Sequence, residues 1–295
     1  MKTAIAKLKS HVGDSVTIAG WLYNKRSSGS LGFLELRDGS GFVQAVVSKS
    51  EVSDEVWAAM ESLTQESSLK VTGTVATHPK KEGVFEVQVS NIEVVQIAEE
   101  YPISLKEHGP EFLLDNRHLW LRSKKQWAAQ RVRDVIISAI YDFYREHGYV
   151  KVDTPIFSPN ACEGATELFA LQYFDSGEVY LSQSGQLYLE AAIMSVGKGF
   201  DFGPVFRAEK SKTRKHLAEF WMMDAEAAFV EHKENMDMQE ALIKFIVKRC
   251  LENCQAEFAV LERDTTKLEK MLELPFERLA YSDAIPKLQR LGSEI

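Results

Sequence analysis

Residues 202–226 read FGPVFRAEKSKTRKHLAEFWMMDAE, and the fold is decided there. Two apolar runs of strand character, 204–206 and 220–223, flank a loop carrying Lys210, Lys212, Arg214, Lys215 and His216, with Arg207 and Glu209 at its entrance. Strand-forming residues on either side of a long charged loop predict a β-hairpin. Strand ends hold charges rigidly, and a cationic loop can close over an anion. A fixed arginine suits phosphate because its planar fork makes two parallel charge-assisted bonds. Glu209, two residues on, is expected on the same sheet face. An ordinary hairpin with a solvated basic loop carries the same signature, so this stretch alone leaves both readings open.

Working upstream, residues 181–190 read LSQSGQLYLE, where Gln183, Ser184 and Gln186 offer several hydrogen-bonding groups to one small ligand. Before them, Val132, Val135, Ile136, Ala139, Ile140 and Phe143 recur at three- and four-residue spacing, which predicts an amphipathic helix. Gly148 suits the residue just past its end. A strand is expected over 149–154, stopped by Pro155. From 99 to 123 the periodicity fades, and Pro102, Gly109 and Pro110 mark a connector.

The first hundred residues alternate apolar and polar positions in the order three strands, helix, two strands, with Ser53 placed to cap the helix. That is the order of the five-stranded OB-fold barrel, which binds single-stranded nucleic acid on one face; other small β-barrels compete with it. Phe33 is either a stacking platform for a base or a core residue. Gln44 suits a base edge, and Lys25 and Arg26 could contact phosphates. Downstream of the hairpin, helices are expected over 235–257 and 265–274, with a turn near Ser282. The organisation is therefore α+β: a barrel over 1–100, a hinge over 101–125 and a second domain over 126–295.

Composition excludes several classes. Of 295 residues, 45% are hydrophobic and 26% charged, as in ordinary globular proteins. No apolar run is long enough to span a membrane, and residues 1–15 do not fit a secretory signal. The net charge of −8 rules out a globally basic nucleic-acid binder, though local patches are unaffected. Three cysteines at unrelated positions fit reduced thiols in a cytoplasm. Cys250 and Cys254 alone are too few for a structural zinc, and no metal ligand set is assigned.

The pattern F-R-x-E, a basic loop, then H-L-x-E-F resembles the second signature motif of class II aminoacyl-tRNA synthetases. The wording HLAEFWMMDAE, with QSGQLYLE upstream, is most similar to the asparaginyl-tRNA synthetases. Residues 20–44, GWLYNKRSSGSLGFLELRDGSGFVQ, resemble the anticodon-binding barrel of the aspartyl, asparaginyl and lysyl enzymes. DNRHLWLRS resembles their hinge, and VKVDTP their first motif, which makes a homodimer interface and here implies one through 131–155. The resemblance implies ATP-dependent activation of asparagine and transfer to tRNA(Asn), with an antiparallel catalytic sheet flanked by helices. Arg207 and Glu209 are implied as catalytic. Glu163, Gln183, Ser184, Gln186, Glu190 and Arg207 are implied for asparagine. Arg207, Glu209, Arg214, His216, Glu219 and Phe220 are implied for ATP, and Arg26, Phe33 and Gln44 for the anticodon. Aspartate-specific relatives have a lysine where this chain has Leu189, and Glu190 beside it would accept from an amide but repel a carboxylate.

One departure stands out. No G-x-G-x-x-x-R third motif occurs, so this sequence is expected to lack the carboxy-terminal part that carries it together with the Mg²⁺ ligands. An aspartyl enzyme and a non-catalytic tRNA-binding protein are the competing expectations.

Overall fold

The computed structural model describes every residue except Leu105, Glu163, Ala165, Thr166, Ser211, Lys212, Arg214, Glu294 and Ile295. The chain divides into two compact units, Met1–Ser123 and Lys124–Ile295.

In the first unit, β1 (Ser15–Ser28), β2 (Leu31–Arg37) and β3 (Phe42–Ser48) are followed by α1 (Asp54–Ser62), β4 (Ser68–Thr77) and β5 (Phe85–Gln96). The strands close into a barrel in the order β1-β2-β3-β5-β4, the OB-fold expected from the alternation. Side chains of one parity point inward: Val16, Ile18, Leu22, Leu34, Val47 and Val71 are all buried. A short 3₁₀ helix, Ile5–His11, adds Ile5 and Leu8 to this core. Ser53 caps α1 by accepting from Val56 N. Gly73 sits at a register shift in the β4–β5 ladder, where a Cβ would lie 2.2 Å from Gln88 O. No other residue fits so close a backbone approach.

Lys25 departs from the expected phosphate contact. Its ammonium donates to Glu61 O (2.8 Å) and Leu63 O (2.6 Å), at the negative C-terminal end of α1. The connector departs as well. It folds into α2 (Pro110–Asp115) and α3 (Arg117–Trp120), too short for a 3.6-residue period to register. It belongs to the first unit, where buried Glu66 accepts both guanidinium nitrogens of buried Arg37 (2.8 Å each) and Arg122 Nη1 (3.1 Å). Arg37 also donates to Arg122 O at 3.1 Å, so one carboxylate ties the end of the connector to the barrel.

The second unit opens with α4 (Lys124–Glu146), β6 (Val150–Lys151), β7 (Phe157–Ser158), β8 (Ala170–Gln172) and β9 (Glu178–Leu181). There follow α5 (Gln186–Val196), β10 (Lys198–Phe206), β11 (Glu219–Ala227), α6 (His232–Asn253), α7 (Gln255–Val260), α8 (Thr266–Glu273) and α9 (Tyr281–Arg290). One sheet runs β11-β10-β6 and a smaller one β7-β9-β8. The core under the larger sheet joins Ile140, Phe143 and Tyr144 of α4 to Phe200 and Leu242, with the Tyr144 and Phe200 rings stacked at 5.0 Å.

The expected hairpin is β10–β11, longer than the apolar runs alone suggested. The strand expected over 149–154 shrinks to the two residues of β6, because only Gly199 and Phe200 pair with it. The single helix expected over 235–257 breaks at Cys254 (φ −117°, ψ 26°) into α6 and α7. The turn expected near Ser282 is the helix α9.

Candidate active site and nucleic-acid interface

The β10–β11 ladder pairs nine residues on each strand, from Lys198↔Ala227 to Phe206↔Glu219. Arg207 N donates to Ala218 O at 2.9 Å, carrying the ladder one residue past the strand end. Arg207 and Glu209 thus lie beyond β10, and strand alternation does not set their directions as the sequence suggested. They nonetheless share a cavity of about 920 Å³ with Phe169, Lys210, Lys215, His216 and Phe220. The Arg207 guanidinium carbon is 5.4 Å from the centre of the half-buried Phe220 ring. A cavity with aromatic walls and a cluster of cations suits a nucleotide: a ring can cover the base while the cations take the phosphates. His216 Nδ1 is in hydrogen-bond contact with Thr213 Oγ1. Glu219 is exposed on β11 opposite Phe206 and is not among the cavity-lining residues.

The segment before α5 is suspended from the hairpin. Phe206 N donates to Ser182 O (2.9 Å), Arg207 Nη1 to Gln183 O (2.5 Å) and Gly185 N to Asp224 Oδ2 (2.8 Å). Gln183 is buried, and Ser184 Oγ accepts from Gln186 N at 3.0 Å. Gln186 Nε2 donates to Glu190 Oε1 at 3.0 Å, and Cys162 Sγ lies 3.3 Å from Ser184 Oγ. Leu189 is fully buried. Gln183, Ser184, Gln186 and Arg207 therefore lie together beside the hairpin, and Glu190 joins them through Gln186 while neighbouring Glu226 farther along β11. Glu163 and Arg214 lie outside the described residues.

Sequence reading missed the acidic wall beside them. Asp224 and Glu226 alternate on β11. Burial chiefly, then Asp201 opposite, pushes the Asp224 carboxyl up, with Gly185 N and Arg207 pulling part of the way back. Burial, then Glu190 and Asp224, raises Glu226. The signal was present in the alternation of 223–226, MDAE, but nothing local indicated that these acids stand beside residues 185–190.

On the barrel, Phe33 and Gln44 lie on the outward, partly exposed parity and Arg26 is exposed. Arg26 and Phe33 are register partners, with the guanidinium carbon 4.7 Å from the ring centre. Arg26 Nη2 donates to Gln44 Oε1 at 3.1 Å. Gln44 Nε2 donates to Glu86 Oε2 at 3.3 Å, which fixes the orientation of the amide. Buried Glu86, an acid between apolar strand residues, was also missed. The row Arg26–Phe33–Gln44 lines a shallow pocket of about 260 Å³ with Asn24 and Glu35. It presents an aromatic face, a cation and an oriented amide, the groups that hold an unstacked base.

A profile described as tRNA synthetases class II (D, K and N) matches residues 109–294. The chain belongs to this family. A second profile, the OB-fold nucleic acid binding domain, matches residues 16–95. The family is one of aminoacyl-tRNA ligases, which use ATP. Among solved structures, asparaginyl-tRNA synthetase from Pyrococcus horikoshii, complexed with asparaginyl-adenylate, is 39% identical with a TM-score of 0.91, covering 100% of this chain and 68% of that one. Asparaginyl-tRNA synthetase from Entamoeba histolytica is 30% identical with a TM-score of 0.79, covering 99% and 67%. Aspartyl-tRNA synthetase from Entamoeba histolytica is 28% identical with a TM-score of 0.77, covering 100% and 64%. The chain thus spans about two thirds of the length of these relatives.

Among the described residues no group of three or more His, Cys, Asp or Glu side chains is placed to hold a metal ion, so no step is assigned to Mg²⁺. No helix among them is long and apolar enough to cross a membrane.

The raised Asp224 carboxyl has a thermodynamic consequence. The folded state binds this proton more tightly than the unfolded chain, so stability from this group is greatest below the unfolded carboxyl value and falls as pH rises through the folded one. Asp224→Asn, which keeps an acceptor for Gly185 N, is expected to raise Tm at neutral pH, with the gain vanishing on acidification. Thermal unfolding across pH checks this; a lower Tm for the variant at neutral pH would refute it.

Proposed function

We propose that the second unit activates asparagine with ATP to asparaginyl-adenylate and passes it to tRNA(Asn), whose anticodon the barrel reads. The observation that carries the choice of asparagine is the acidic wall. Glu190, Asp224 and Glu226 stand close enough that the first two raise the third. A substrate ammonium and a side-chain amide suit such a wall; a second substrate carboxylate would be desolvated against like charge. Leu189 supplies no cation to offset it.

The chemistry needs no covalent enzyme intermediate. The asparagine carboxylate attacks the α-phosphorus of ATP, a P–O bond forms, and pyrophosphate leaves with the electrons of the broken P–O bond. The terminal ribose hydroxyl of the tRNA then attacks the acyl carbon, and AMP leaves. Catalysis is positioning plus neutralisation of phosphoryl charge. Arg207, anchored on Gln183 O, is held where the substrate carboxylate and the α-phosphate meet. Phe220 covers the adenine, with Glu219 near its amine. His216 and the loop cations, Arg214 included, take the outer phosphates, and Glu209 faces the nucleotide and the tRNA end. Glu163 closes over the α-ammonium. On the barrel, Phe33 stacks on a base while Gln44 and Arg26 bind its edge and phosphate. The same reading has the protein working in the cytoplasm as a homodimer through 131–155.

ATP–pyrophosphate exchange with asparagine and aspartate in parallel tests the specificity: exchange is expected with asparagine, and exchange favouring aspartate would support the aspartyl alternative instead. On the barrel, Phe33→Ala is expected to weaken tRNA(Asn) binding by about 1–3 kcal/mol in a filter or titration assay. An unchanged affinity would make Phe33 a merely structural residue.

A further inference from the structure

In the β10–β11 ladder Asp201 stands directly opposite Asp224, so the two side chains share a sheet face. Like charges in this position are destabilising, and Asp201 is only 6% exposed. What makes the pair tolerable comes from β6 and the residues after it. Lys151 Nζ donates to Asp201 Oδ1 at 3.0 Å, and Thr154 Oγ1 donates to Asp201 Oδ2. Lys151 also donates to Val152 O (2.9 Å) and to Asp153 Oδ1 (2.7 Å), which occupies all three of its N–H groups. Asp153 is exposed and met by water, so Asp201 is the buried charge that Lys151 compensates. The same cluster sets the pocket backbone. A Cβ on Gly185 would lie 2.7 Å from Asp201 Oδ2 and 2.9 Å from Thr154, and Gly185 N is the donor to Asp224.

We infer that Lys151 is a positioning residue of the amino-acid pocket: by neutralising Asp201 it leaves Asp224 free to carry a full negative charge toward the substrate's α-ammonium. This rests on the reading of residues 183–186 as that pocket. Besides Asp201, the described groups that interact with Asp224 are Arg207 past β10, Glu226 on its own strand, Tyr144 of α4 from across the sheet by its charge alone, and the Gly185 N–H before α5. Without Lys151, two uncompensated carboxylates share one site and take up a proton between them, as close carboxylate pairs do. The charge offered to the ammonium falls while the shape of the pocket persists.

The test uses two sulfamoyl-adenosine probes, one bearing asparagine and one bearing succinamic acid, which is asparagine without its α-amino group. Calorimetric titration of Lys151→Met is expected to give about tenfold or more weaker binding of the asparagine probe with the succinamic probe unchanged. Lys151→Arg should bind like the wild type, and adding Asp201→Asn to Lys151→Met should recover the loss. Equal weakening of both probes, no weakening of either, or no recovery in the double variant would overturn the inference. Should Lys151→Met fail to fold, Asp201→Asn is compared with and without it. Equal binding supports the inference, and a loss confined to the double variant contradicts it. Wild-type protein that binds neither probe would instead overturn the pocket reading itself.

Discussion

An antiparallel ladder forces residues directly opposite each other onto one face. The nine pairs of β10–β11 turn that constraint into the scaffold of the second unit's site. At one end the ladder continues through Arg207 N to Ala218 O, so the arginine leaves the sheet in a fixed direction. On its face stand Asp201 and Asp224, and from its edge and end hang Ser182, Gln183 and Gly185 through three hydrogen bonds. Residues 182–186 and the cavity beside Arg207 therefore share a single rigid element, which is what a reaction run by positioning requires.

The arrangement costs stability. Burial raises the carboxyls of both Asp224 and Glu226, with Asp201 adding to the first and Glu190 and Asp224 to the second. A sequence selected for stability alone would replace one of them; under the proposed function, a site that receives an ammonium and turns away a carboxylate keeps both. The barrel solves a different problem. Its inward parity is apolar, so its outward parity is free to carry Arg26 and its register partner Phe33, with Gln44 diagonal to them opposite Glu35 and Glu86 fixing the orientation of the Gln44 amide.

The hairpin, the barrel and the long helix α4 were legible because each has a periodicity that local residues alone produce. The convergence of Arg207, Glu209, His216 and Phe220 on one cavity followed from their places around one loop. What could not be read depends on distance along the chain. Asp201 lies between Phe200 and Phe202 and reads as an ordinary outward polar residue of a strand. Its partner Lys151 lies 50 residues earlier, with nothing to link them until β6 pairs with β10. Lys25 looked free for phosphate because the end of α1 that it caps is a feature of tertiary structure. The connector helices were too short to show a period. The break at Cys254 replaces no apolar position, so the pattern ran through it.

The account stands on the acidic wall choosing an amide over a carboxylate. Titration of the wild-type chain with the sulfamoyl analogues of asparaginyl- and aspartyl-adenylate measures that choice without requiring turnover. The asparaginyl analogue is expected to bind about a hundredfold more tightly, a difference of about 2.7 kcal/mol. Equal affinity, or tighter binding of the aspartyl analogue, would contradict the account.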